Sequence, residues 1–176
     1  TTRHTRPARV CVSASVAGER SRCVVPNALR DLVSQVPGDR GAVAFDPSTT
    51  PTLVVRRAKA ERTIVWSEAN RSFSETSGDA EPTPARASHT RKLADALVGL
   101  RAEGLLRVGP PQPDDGLDTP TLVVEGRDDS GHVRKTLIVG ARGRDGATAV
   151  YRVRVSDHPA TYLVLREDVD RLLQLL

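Results

Sequence analysis

The 176 residues carry 26 Lys and Arg against 22 Asp and Glu, a net charge of +4, with only 3% aromatic residues and no methionine. A chain of this size buries roughly 70% of the surface its unfolded form exposes, so a core of Val, Leu, Ile and Ala holds it without metal or disulfide. No stretch approaches the ~20 apolar residues of a membrane span, and the charge is 23 Arg and 3 Lys scattered among acids, which argues against a nucleic-acid surface. The missing Met, even at position 1, is the expectation for a segment of a longer protein or a chain that has lost a leader.

In chain order, Val10 and Val12 alternate with Cys11 and Ser13, which is strand periodicity; a turn at Ala17-Gly18-Glu19 and a return over Arg22 to Val25 make a hairpin. Leu29, Leu32, Val33 and Val36 then give a short helix that Pro37-Gly38 stops. A loop carrying Asp46-Pro47-Ser48 leads to paired strands, Leu53 to Arg57 and Thr63 to Ser67, turning around Lys59-Ala60-Glu61. Arg71 to Glu75 is a third strand, and Thr76 to Pro84 is a polar loop.

A longer helix is predicted from Pro84 to Glu103, with Leu93, Leu97, Leu100 and Gly104 on one stripe and Gly104 as its stop. Leu105 to Val108 is extended, and the segment after it, Gly109 to Thr119, is a loop with three prolines and three aspartates. Four strands follow: Thr121 to Gly126, Val133 to Val139, Val150 to Val155 and Thr161 to Leu165. They are joined by Asp128-Asp129-Ser130-Gly131, Gly143-Arg144-Asp145-Gly146 and Asp157-His158-Pro159, all turn chemistry. A terminal helix carries Val169, Leu172, Leu173 and Leu176.

The two short helices share one stripe at a constant spacing, and each follows a hairpin whose return strand is Cys23-Val24-Val25 or Tyr162-Leu163-Val164. The reading is an α+β fold of antiparallel sheet with helices on one face and tandem-repeat-like hairpin–helix endings. Residues 1–36 close a partial upstream unit, 37–42 link, and 43–176 form a complete unit. The alternative is one domain with two unrelated corners.

The order of these elements resembles the bacterial family called domain of unknown function 4340. The residues that carry the likeness are Phe45-Asp46-Pro47-Ser48, a strand at Trp66 and another at Phe73, Leu97-Val98-Gly99-Leu100-Arg101-Ala102-Glu103, and Gly116-Leu117-Asp118-Thr119-Pro120. After them come Lys135-Thr136-Leu137-Ile138-Val139-Gly140, Val150-Tyr151-Arg152-Val153 and Tyr162-Leu163-Val164. The likeness spans residues 43–176. It implies an envelope protein auxiliary to a gliding-motility-type ABC transporter, periplasmic or otherwise extracytoplasmic, anchored outside this segment. It implies no catalytic residues.

The residues themselves offer no catalytic, cofactor or metal set. His4, His89, His132 and His158 are too scattered for ligation, and each is expected at the surface. Asp128, Asp129, Ser130 and His132 sit in one tight turn, where contiguous residues cannot fold back into a relay. Gly140-Ala141-Arg142-Gly143-Arg144-Asp145-Gly146 has glycines but no Lys-Ser/Thr and joins strands, so it is not a phosphate loop. Asp114, Asp115 and Asp118 are the one acidic loop cluster, without EF-hand spacing. Cys11 and Cys23 straddle the predicted turn symmetrically about Ala17, which sets them opposite one another and predicts a disulfide; the alternative is two small buried thiols. The expected function is a non-catalytic scaffold or module that binds a protein partner in the envelope, with no cofactor, no nucleic acid and no membrane insertion by this segment. The alternatives are a hydrolase or transferase with a loop-built site, and a nucleic-acid-binding module.

Overall fold

The computed structural model describes residues 10–16, 19–25, 40–76 and 84–176. The chain divides into two compact units, Thr1–Asp39 and Arg40–Leu176. In the first, β1 (Val10–Val16) pairs antiparallel with β2 (Glu19–Val25). Val16 pairs with Glu19, so the pairing is centred between positions 17 and 18 and not on Ala17. Cys11 therefore stands across from Val24 and Cys23 across from Val12, so the register does not set the two cysteines opposite one another. The expected helix over 26–36 and most of the loop over 76–84 lie outside the described residues.

The second unit is α+β. Its strands are β3 (Thr52–Arg57), β4 (Ala60–Ser67), β5 (Ser72–Glu75), β6 (Gly104–Val108), β7 (Leu122–Arg127), β8 (Val133–Asp145), β9 (Thr148–Val155) and β10 (Ala160–Leu165). They form one sheet in the order β5-β4-β3-β7-β8-β9-β10-β6, and every pairing is antiparallel. Helices α1 (Pro84–Val98) and α2 (Arg166–Gln174) complete it.

Side chains alternate across a strand, and the register sorts them into two faces. Leu53, Val55, Ile64, Val124, Leu137, Val139, Val153, Tyr162 and Val164 lie on one, all buried. Leu93 and Leu97 of α1, and Val169 and Leu172 of α2, are fully buried with them. Phe45 also joins this face: a Cβ on Gly126 would stand 2.8 Å from its ring, so glycine is required there for the Arg40–Thr50 segment to lie down on the sheet. That segment turns on Asp46, whose Oδ1 accepts from the Ser48 amide at 2.9 Å and the Ser48 hydroxyl at 2.8 Å.

Three boundaries differ from the sequence reading. Helix α1 stops at Val98, not Glu103, because Gly99 ends it and the next residues bond elsewhere, the Ala102 amide to Arg40 O and the Glu103 amide to Leu163 O. Gly104 begins a strand. The first hairpin of this unit turns at Ala58-Lys59, with Ala58 at φ 51°, so Ala60 and Glu61 belong to β4. Likewise Gly143, Arg144 and Asp145 pair with Val150, Ala149 and Thr148, which moves that turn to Gly146-Ala147 and makes β8 a 13-residue strand.

One carboxylate ties helix to sheet. Glu75, with its side chain 3% exposed, accepts from both guanidinium forks around it: Arg86 at 2.9 and 3.1 Å, and Arg62 at 2.8 and 3.2 Å. The Thr90 hydroxyl adds a third donor at 3.2 Å. The Arg86 hydrogen bonds, followed by those of Arg62, outweigh burial and lower the Glu75 pKa from 4.5 to about 2. Arg62 also donates to Leu175 O and Arg57 to Leu173 O, both at 2.7 Å, placing cations at the carbonyl end of α2.

Two outcomes follow. The depressed pKa contributes stability that is fully present above about pH 4.5 and is lost as pH falls toward 2, because the unfolded chain binds the proton first; its size is about 3 kcal/mol. Melting curves between pH 5 and 2 should fall more steeply for the wild type than for Glu75→Gln, and parallel slopes would refute the pairing. Replacing the fully buried Leu172 by Asp puts an unpaired charge in the core, so its melting temperature should collapse; an unchanged curve would remove α2 from the core.

Candidate functional site

The other sheet face carries the polar constellation. The two helices lie against the first face: Thr90 reaches Arg62 there, and Asp170 of α2 accepts from the Tyr151 hydroxyl at 3.0 Å. The second face is left with a row that runs across seven strands in register: Glu61, Arg56, Val123, Ile138, Arg154, Thr161 and Arg107. Its centre is apolar and half-buried, Val123 and Ile138, and arginines flank it.

On one flank Arg56 donates to Glu61 at 2.7 Å and to Glu125, and Arg127 reaches Glu125 at 2.7 Å. The Arg127 hydrogen bond, then that of Arg56, holds Glu125 below its ordinary pKa against the effect of burial. Alternating charges across β4, β3 and β7 leave that flank close to neutral.

On the other flank the strap of residues 109–118 crosses the sheet. A 3-10 turn, Pro113–Asp115, ends at Gly116 in the left-handed region at φ 66°. It aims Asp115 downward, where it is 0% exposed. Asp115 accepts from Arg107, from the Gln112 amide at 2.9 Å and from the Thr161 hydroxyl at 3.4 Å, with Arg152 at 3.8 Å. Burial would raise the Asp115 pKa, but these donors and the charges of Arg107 and Arg152 outweigh it and the pKa lies below the ordinary value. Asp114 takes Arg152 at 2.9 Å on its carboxylate and again on its carbonyl, and Gly109 O takes Arg154 at 2.9 Å. Any side chain on Gly140 would strike the Asp115 carbonyl.

The three carboxylates of the aspartate loop are used separately. Asp115 is an internal counterion, Asp114 a surface partner of Arg152, and Asp118 is exposed. Among the described residues no group of three or more His, Cys, Asp or Glu is placed to hold a metal. Asp128 closes its own turn, accepting from the Ser130 and His132 amides at 2.9 Å and from Arg134 at 2.7 Å, and the His132 ring is 79% exposed. His89 is exposed on α1. His158 is half-buried beside Asp157 at 3.3 Å, edge-on to Tyr162. His4 lies outside the described residues.

The strap cluster and Glu75 were not anticipated as sites. The signal for the strap was available: Arg152 and Arg154 repeat at strand spacing, Arg107 lies on the next strand but one, and the aspartates are on the connecting loop. What spacing cannot supply is the strand order that makes β6, β10 and β9 neighbours. Comparison with protein-family models, curated proteins and solved structures finds no match to this chain.

Proposed function

We propose that this chain is a non-catalytic module that binds a protein partner, and that the arginine-flanked row centred on Val123 and Ile138 is its contact surface. The observation that carries the reading is the state of the carboxylates. Among the described residues, each carboxylate whose pKa departs from its ordinary value departs downward: Asp46, Glu75, Asp115, Glu125, Asp128 and Asp170. A general acid at neutral pH needs the opposite, a carboxyl raised toward 6 or 7. These groups are held ionised by arginines and amides, which suits structure and charge complementarity. A sheet face that no described helix covers, with two aliphatic residues between charged flanks, has the apolar centre and polar rim of a binding patch.

The family resemblance extends the proposal to an extracytoplasmic scaffold auxiliary to an envelope ABC transporter. Among the described residues no helix is long and apolar enough to cross a membrane. The tandem arrangement, with residues 1–36 closing an earlier unit, is part of the same proposal. Both hairpins are antiparallel, but Val12 and Cys23 face each other 11 residues apart and Val153 and Tyr162 nine apart, so their connections differ by two residues.

The nucleic-acid alternative draws on Arg56, Arg127, Arg152, Arg154 and Arg107. Glu61, Glu125, Asp114 and Asp115 neutralise much of that charge. Phe45, Phe73, Tyr151 and Tyr162 are buried, and Trp66 stacks edge-on against Phe73 at 5.0 Å, so stacking platforms are lacking among the described aromatics. The enzyme alternative requires a residue-specific turnover.

The test is capture from an envelope extract of the encoding organism. A Val123→Glu/Ile138→Glu variant that melts like the wild type should lose the partners the wild type retains, by tenfold or more. Retention of the same partners by the variant would refute the surface. Hydrolysis of a generic ester, phosphate or glycoside that disappears in His158→Ala would refute the non-catalytic reading.

A further inference from the structure

The strap is a ligand in form as well as a loop. Its upper side is exposed at Pro110, Pro111, Gln112, Pro113 and Asp114. Its hold on the sheet along 109–115 is polar: the Gly109 carbonyl on Arg154, Asp114 on Arg152, and Asp115 on Arg107, Arg152 and Thr161. A segment held by few apolar contacts opens at lower cost than the strands beneath it. Below it Arg152 and Arg154 of β9 and Arg107 of β6, two strands with β10 between them, point at one short acidic peptide. One donor stays unsatisfied there, since Arg107 Nε is buried without an acceptor. An incoming chain with one more acceptor would satisfy it, which the strap does not do.

We propose that Arg107, Arg152 and Arg154 form a docking site for an acidic, proline-containing segment of a partner protein, and that the chain's own strap occupies this site as an internal mimic. The ligand class is read from the occupant: a carboxylate pair after a proline in a single 3-10 turn, as in Pro113-Asp114-Asp115. Arginine forks suit carboxylates because their donors bind two oxygens in a fixed geometry. The strap lowers the apparent affinity by the fraction of time it is closed, so the site is gated and a partner must compete for it. This rests on the partner-binding reading only in taking the ligand to be a polypeptide; its residues are distinct from Val123 and Ile138.

The probe is a synthetic peptide of residues 109–117, capped at both ends and fluorescently labelled. The wild-type chain should bind it weakly. Asp114→Asn/Asp115→Asn, which strips the strap of its charges, should bind at least tenfold more tightly, with affinity falling as salt rises. Adding Arg152→Ala to that variant should abolish the gain, and a peptide with Asn at both aspartates should not bind to either form. A folded double variant that binds no better than wild type overturns the proposal, as does a gain that survives Arg107→Ala/Arg152→Ala. If the double variant fails to fold, hydrogen exchange in the wild type decides. The Asp115 and Gly116 amides, bonded to Gln112 O and Pro113 O, should exchange at least tenfold faster than the β9 and β10 amides; exchange only with global unfolding overturns strap opening. Failure of the peptide while Val123→Glu/Ile138→Glu still loses envelope capture would remove the strap site and leave the partner surface standing.

Discussion

Arg62 joins the edge strand and both described helices of the second unit. From β4 it binds Glu75 on the edge strand β5, the Thr90 hydroxyl on α1, and the last turn of α2 through Leu175 O. An all-antiparallel sheet with two described helices has a weak point where its edge meets the helical layer, because β5 is four residues long and Phe73 is its one buried side chain by residue exposure. A charge network substitutes for area there. The substitution is sound only because the carboxylate is saturated: two forks and a hydroxyl leave Glu75 no lone pair that burial would strand. Arg86 supplies the exposed side of the clamp, so the buried pair is not left with a single partner.

Fixing both helices to one face determines what the other face must be. With its helices committed, the sheet presents its second face without a helical cover. The sequence answers with Thr52, Thr63, Thr136 and a row of charges, not with a second aliphatic layer. Val54, Val150 and Leu163 are exceptions, buried on that face. Edges are treated in a similar way. β6 is short, bulged opposite Thr161 and Tyr162, and carries Arg107, devices that discourage strand addition even though Leu106 is 39% exposed.

Periodicity made most of the second unit legible, since each strand presents alternating aliphatic residues and each helix one stripe. It failed where a local rule was overridden by a distant partner. The apolar stripe of α1 continues past Val98 to Leu100, and Leu100 is buried as the stripe implies. The backbone there has left the helix because Arg40 and Leu163 provide the partners for Ala102 and Glu103. Gly143 and Asp145 look like a turn by composition, yet β9 pairs with them and the turn shifts to Gly146. The cysteine argument failed by one residue: an even connection cannot be centred on Ala17, and one position of slip removes an opposite pair. Candidate sites were harder still. Arg62 and Glu75 are 13 residues apart, Arg107 and Thr161 54 apart, and only the strand order joins them.

The net charge of +4 gains meaning from this placement. Scattered arginines among nearly as many acids gave no reason to expect a patch, and on average there is none. The pairing is uneven, however. Around Glu75, Glu125 and Asp170 the carboxylate and its arginines all stand on strands or helices. Beneath the strap the cations are on two strands, β6 and β9, and the anions are on a loop. A charge pair whose two halves differ in mobility is divisible: lifting the loop would separate the signs and expose a positive surface that the closed chain conceals. Composition counts both arrangements alike. The distinction lies in where each partner stands: at the strap the carboxylates are on a connecting loop, and at Glu75, Glu125 and Asp170 they are on strands or a helix.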